Sequence, residues 1–211
     1  MTRVWLCVAW VVLSLVGDAP TARTARCLID PCCSSASSAG GVLLVCPAGD
    51  GPTLSSIGAT VSVTVLTCYC GDPLPGIPAE DFWIQQNNLA PQALCGGYRS
   101  SDADGASDLN GQATISGSIA AGGYWPDALH VVAQGMAIGS GCNPDVALSL
   151  VLVSPDINGD LVVDILDVAS FAEAFSGGAG TVDPRVDFDG NGQIDLVDLS
   201  LFAHHYYHRC E

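Results

Sequence analysis

Asp156-Ile157-Asn158-Gly159-Asp160-Leu161-Val162-Val163-Asp164-Ile165-Leu166-Asp167 and Asp187-Phe188-Asp189-Gly190-Asn191-Gly192-Gln193-Ile194-Asp195-Leu196-Val197-Asp198 are one pattern written twice, 31 residues apart. The repeat runs on past the acids: Ile165, Val168, Phe171, Ala172 and Phe175 fall on Leu196, Leu199, Phe202, Ala203 and Tyr206. Oxygen-bearing side chains at every second position suit a tight loop, and the apolar residues that follow recur at three- and four-residue steps, the period of a helix face. Each copy therefore predicts a loop followed by a helix.

The loop chemistry points to a hard cation. Calcium takes six to eight oxygen ligands, and a twelve-residue loop supplies them from positions 1, 3, 5, 7 through its carbonyl, 9 and 12. In the first loop these positions hold Asp156, Asn158, Asp160, the Val162 carbonyl, Asp164 and Asp167; in the second, Asp187, Asp189, Asn191, the Gln193 carbonyl, Asp195 and Asp198. Two Ca2+ sites are expected. Position 6 makes the sharp turn and favours glycine, which Gly192 provides while the first loop has Leu161. The second site is therefore expected to be the stronger. Apolar residues at position 8, Val163 and Ile194, predict a short β-bridge between the loops.

What precedes each loop narrows the class. Leu148, Leu150 and Leu152 alternate as a strand and Pro155 follows, while Gly177, Gly178, Gly180 and Pro184 lie before Asp187, so no helix enters either loop. Loop-then-helix, twice, over residues 154–211 resembles the dockerin module of type I. That resemblance implies a calcium-ordered module that docks onto a cohesin-like partner through the residue pair after ligand position 9. Those places hold Ile165-Leu166 and Leu196-Val197, where cellulosomal members usually carry small or hydroxyl residues. A different cohesin-like or cell-surface protein is the expected partner.

The start of the chain reads as a targeting segment. Arg3 precedes an apolar run from Val4 to Val16, and small residues follow at Gly17, Ala19 and Ala22, the layout of a signal peptide over residues 1–22. The run is short for a membrane span, so a secreted or cell-surface chain without a transmembrane anchor is expected. Ten cysteines, nine of them after the signal, suit an oxidising compartment, and nine leaves one thiol outside the intramolecular disulfides. Six arginines and no lysine stand against 22 acids, which excludes nucleic acid as a natural partner. Eleven of the acids lie from Asp156 onward, where bound cations would neutralise them.

Between these ends the pattern is β. Residues 23–40, with the Ser/Ala/Gly run at 34–40, read as a flexible lead-in. From 41 to 153 short alternating stretches, such as Val61-Val63-Val65, Ala113-Ile115 and Leu129-Val131-Ala133, are separated by turn signals at Asp50-Gly51, Pro75-Gly76, Asp104-Gly105 and Asn110-Gly111. This predicts a two-sheet β-sandwich. The run Leu74-Pro75-Gly76-Ile77-Pro78, then Asp108-Leu109-Asn110-Gly111-Gln112-Ala113-Thr114-Ile115, resembles bacterial Ig-like domains of the invasin kind over residues 53–138. Such domains are mostly spacers and adhesive modules.

Other chemistry-bearing residues are sparse. No nucleophile elbow or zinc-protease motif occurs, His130 is a lone strand histidine, and Glu80 beside Asp81 would diverge rather than flank a glycosidic bond. A non-catalytic protein is expected. Asp102, Asp104 and Asp108 form an acidic loop with an incomplete ligand series. Phe82, Trp83, Tyr98, Tyr124 and Trp125 have two readings, a polysaccharide-stacking face or core filling with Trp83 inside the sandwich and Trp125 capping a loop. His204, His205, His208 and Cys210 also have two, a transition-metal site using imidazoles at i and i+4 or a helix end suited to the macrodipole. The fold class expected is mainly β plus a small α module, an Ig-like β-sandwich followed by a duplicated dockerin-like domain.

Overall fold

The computed structural model describes residues 29–67, 71–86, 94–95, 99–126, 129–139, 148–177 and 182–211. The signal-peptide reading, Cys68, Cys70, Tyr98 and Cys142 lie outside the described residues. The described residues are mainly β with two α-helices. Among the described residues, no helix is long and apolar enough to cross a membrane.

Strands β1 (Ser35–Ser37), β3 (Val61–Thr64) and β6 (Gln112–Ile115) form an antiparallel sheet. Strands β5 (Arg99–Asp102), β4 (Phe82–Gln86), β8 (Leu129–Ala133) and β9 (Met136–Ile138) form a second, in that order. The third brings the two ends of the β region together: β10 (Leu150–Val153) pairs parallel with β2 (Gly41–Leu44) and antiparallel with β7 (Trp125–Pro126). A parallel pair needs a long crossover, and here all the chain between β2 and β10 provides it.

Within the stretch read as a lead-in, Ser35–Ser37 form the strand β1. Ser35, Ala36 and Ser37 pair with Thr64, Val63 and Ser62. An edge strand is held by backbone hydrogen bonds, so it needs no apolar side chains, and composition alone hid it. The buried Ser34 hydroxyl fixes its start by accepting a hydrogen bond from the Leu66 N–H at 3.0 Å.

Alternation along β2 and β10 serves two cores. Leu43, Leu150 and Leu152 join Val61, Phe82, Ile115 and Trp125 in the main β core. Leu44 and Val153 turn the other way and join Val163, Phe171, Phe188 and Phe202, with Val42 and Val151 packed against them. Successive side chains on a strand point to opposite faces, so this sheet is a wall shared by both cores. The positions of the tryptophans also differ from expectation. Trp125 is fully buried in the main core, its indole N–H donating to the Gly122 carbonyl at 2.6 Å, whereas Trp83 is half-buried and donates to the Gln85 side chain. Strand parity decides it: Phe82 and Ile84 take the inward face of β4, leaving Trp83 outside.

The helices are α1 (Ile165–Ser176) and α2 (Leu196–His204). Their phenylalanines carry the second core: the Phe171 ring lies 5.4 Å from Phe202 and 5.9 Å from Phe188 between centroids. Ile165 and Leu196, which open the apolar repeat in each copy, are 64% and 72% exposed. They stand in the first helical turn, ahead of the point where the helices meet. Cys95 and Cys210 form a disulfide that ties the end of the chain to the β region.

Candidate metal centre

The first loop leaves β10 through Ser154 and Pro155 and turns about the carboxylate of Asp156. Asp156 Oδ1 accepts from the N–H groups of Gly159 at 2.9 Å and Asp160 at 3.1 Å, and Oδ2 accepts from Leu161 at 2.7 Å. Asn158 Oδ1 accepts from the Asp160 N–H at 2.8 Å, and Asp160 Oδ1 from Val162 at 3.0 Å. The loop closes on the helix it precedes: Asp164 is the N-cap of α1, accepting from Leu166 at 2.8 Å, while Asp167 accepts from Asp164 at 2.9 Å and from Asn158 at 3.1 Å. This is a capping box with aspartate in both roles.

The second loop repeats the scheme. Asp187 accepts from Asn191 and Gly192 at 3.1 and 2.9 Å, Asp189 from Asn191 at 3.0 Å, and Asn191 Oδ1 from Gln193 at 2.8 Å. Asp195 caps α2 through Val197 at 2.7 Å, and Asp198 accepts from Asp195 at 2.9 Å and Phe188 at 2.8 Å. Backbone conformation matches as well. Position 6 is left-handed in both loops, with φ of 71° at Leu161 and 82° at Gly192. A leucine there costs roughly 1–2 kcal/mol that glycine does not.

The side chains the sequence singles out are thus gathered loop by loop. Asp156, Asp167 and Asp198 are fully buried and Asp187 nearly so. Asp187, Asp189 and Asp198 each place a carboxylate oxygen within 4.8 Å of the others. Burial, reinforced by the nearby Asp167 and Asp160, pushes the Asp156 carboxyl up to about 6 against the backbone donors that lower it. Burial also raises Asp167 and Asp187. A buried carboxylate that stays ionised is costly unless it is paired or coordinates a metal. Among the described residues the nearest arginine in sequence, Arg185, is spent on Asp183 at 2.6 Å, and the chain has no lysine. The donor set fits Ca2+: oxygens alone, several of them anionic, around one turn per loop.

Three expectations change. Val163 does not bridge to Ile194, because its N–H donates to the His208 carbonyl and its carbonyl accepts from Tyr207, both at 2.9 Å. The bridge that forms is Val162 to Arg209, so the chain end closes over the first loop. The acidic loop at 102–108 is a turn-fixing device: Asp104 accepts from Thr114 and Ser116, and Asp108 from the N–H groups of Asn110 and Gln112. His204 meets His208 edge to face, with ring centroids 6.5 Å apart, and the metal-type grouping at the chain end uses neither His204 nor Cys210. His204 is exposed and Cys210 is spent on Cys95, while His205 and His208 turn toward Cys46 and Asp50, two residues the sequence reading passed over. Cys46 is the buried free thiol among the described residues, and burial pushes it up to about 12.

A groove of about 410 Å³ opens between the helices. Its lining is Val168, Phe171, Ala172 and Phe175 from α1 and their repeat partners Leu199, Phe202, Ala203 and Tyr206. No family model matches the chain, and no curated protein matches its sequence.

Proposed function

We propose that the protein is a secreted or cell-surface, non-catalytic calcium-binding protein. In this reading an Ig-like β-sandwich serves as spacer or adhesive domain, and a dockerin-like module ordered by calcium serves extracellular assembly. The observation that carries it is the doubled loop, with buried carboxylates at positions 1 and 12 gathered on one turn in each copy. Asp156, Asn158, Asp160, the Val162 carbonyl, Asp164 and Asp167 would hold one Ca2+; Asp187, Asp189, Asn191, the Gln193 carbonyl, Asp195 and Asp198 would hold the other. Bound calcium supplies charge neutralisation and no catalysis.

The chain's own residues do the rest. Asp164 and Asp195 start the helices, Asp167 and Asp198 lock each loop onto its helix, and the Phe171–Phe188–Phe202 stack holds the two copies together. Ile165-Leu166 and Leu196-Val197 stand exposed at equivalent first turns. Two matching apolar pairs on a surface favour docking of a protein partner, as the cohesin-binding resemblance implies. A sugar-binding sandwich is less supported, since Phe82 and Trp125 are fully buried and cannot stack on a ligand.

Calcium titration by calorimetry on the oxidised chain, stripped with chelator, tests the reading. Two binding events, the tighter one lost in Asp187→Ala, are expected. No heat at millimolar calcium, with helicity unchanged by chelator, would overturn it.

A further inference from the structure

At the junction of the β region and the second helix, four side chains of different chemistry converge. Cys46 and Asp50 lie in the turn after β2, His205 and His208 in the turn after α2, so the pairs are more than 150 residues apart in sequence. Their ligand atoms all lie within 4.8 Å of one another. His208 Nδ1 is 3.3 Å from Cys46 Sγ, 3.3 Å from His205 Nδ1 and 3.3 Å from Asp50 Oδ2; His205 Nδ1 is 3.6 Å from Asp50 Oδ1.

Hydrogen bonding does not account for this geometry. A ring nitrogen offers one lone pair or one proton in the ring plane, so His208 Nδ1 can make one good hydrogen bond, yet three polar atoms stand equally close. A single central cation satisfies all of them. The edge of a tetrahedron is roughly 1.63 times its centre-to-vertex distance, so metal–nitrogen bonds of about 2.0–2.1 Å place ligand atoms about 3.3–3.4 Å apart, and a metal–sulfur bond of about 2.3 Å widens that slightly. The three separations from His208 Nδ1, to Cys46 Sγ, His205 Nδ1 and Asp50 Oδ2, fall on or near that edge length.

We propose that Cys46, Asp50, His205 and His208 form a binding site for a divalent transition metal, Zn2+ by the chemistry of its ligands. One thiolate, two imidazoles and one carboxylate complete a closed tetrahedral set of the structural kind. It differs in kind from the all-oxygen loops. Cys46 enters as thiolate, its proton leaving to solvent on binding. Asp50, about half exposed, lies on the route by which the ion arrives, and the buried Cys46 and His205 form the floor. The ion would fasten the end of the helical region to the β region, on the same terminal segment as the Cys95–Cys210 disulfide.

The test uses the oxidised full chain with calcium in excess, so that the oxygen loops are filled, and Co2+ as the spectroscopic probe. One equivalent of Co2+ should give intense tetrahedral absorption with a thiolate-to-cobalt charge-transfer band, and one equivalent of Zn2+ should abolish both. Cys46→Ser should lose the charge-transfer band. His208→Ala, at a partly exposed position less apt to disturb folding, should weaken binding by at least the ~10–100-fold that follows loss of an outer-shell partner. A wild-type chain showing no thiolate band, or only the weak spectrum of octahedral cobalt, would overturn the proposal, as would a band that survives in Cys46→Ser. Because calcium is saturating throughout, the result is independent of how the two loops behave.

Discussion

The two loops make nearly the same hydrogen bonds by different means. The second is turned by its own sequence, with Gly192 at the left-handed position and open space around it. The first forces Leu161 into that conformation and is held by its neighbours instead: Gly123 donates to the Asp156 carbonyl at 2.7 Å, the Ser154 hydroxyl accepts from the Asp156 N–H at 3.2 Å, and residues 207–210 pair along 161–163. A local sequence defect can thus be offset by tertiary support, which is why pattern strength and site quality need not agree.

The strongest way to break the comparison is to remove position 1 from each loop. Asp187→Ala should abolish the tighter calcium event and Asp156→Ala the weaker, each read by calorimetry; loss of both in either variant would mean that the loops fill as one unit. Next is Gly122→Ala, outside both loops. A Cβ at Gly122 collides with Oδ2 of the Asp156 carboxylate, which is held by the Leu161 N–H at Oδ2 and by the Gly159 and Asp160 N–H groups at Oδ1. Overpacking of this kind costs roughly 1–3 kcal/mol, so the first site should weaken by about tenfold or more while the second is unchanged.

Acidity offers a third comparison. In chelator, the raised Asp156 carboxyl keeps its proton in the folded chain up to about pH 6, while the unfolded chain releases it near 4. Between these values the folded state binds more protons, so stability is highest below about pH 4 and falls as pH rises through 6, by at most about 3 kcal/mol. Urea midpoints should fall over that window in chelator, and Asp156→Asn should flatten the fall. Asp187, also raised by burial, adds in the same direction. The smallest effect sharpens the comparison at position 6. Leu161→Gly should tighten the first site by about 1 kcal/mol, and Gly192→Leu should weaken the second by a similar amount, both read as shifts in calcium affinity.

The helices and loops were legible because their information is local: aspartates at fixed steps make both the loop and the capping box, and phenylalanines at helical steps make the stack. The β content was legible from alternation, and the described residues are mainly β with two α-helices. What sequence could not show is set by distant pairing. Strand parity put Trp125 rather than Trp83 in the core, and Val163 found its partner at the chain end instead of in the sister loop. The cluster of Cys46, Asp50, His205 and His208 was hidden for the same reason. A C-x-x-x-D turn and an H-x-x-H turn are each unremarkable until the fold sets them side by side, and α2 ends at His204, so the helical spacing of His204 and His208 was the wrong rule to apply.

The two-faced sheet of β2 and β10 bears on whether the repeated segment can travel. A cassette cut at residue 154 would leave behind Val42, Leu44, Val151 and Val153, the surface on which its own phenylalanines rest. Grafted elsewhere, it would arrive with an uncovered apolar flank and would have to find a substitute for that floor in its new host. The repeat is therefore a tenant of this particular sheet, and a transplant that keeps its stability should carry β2 and β10 with it.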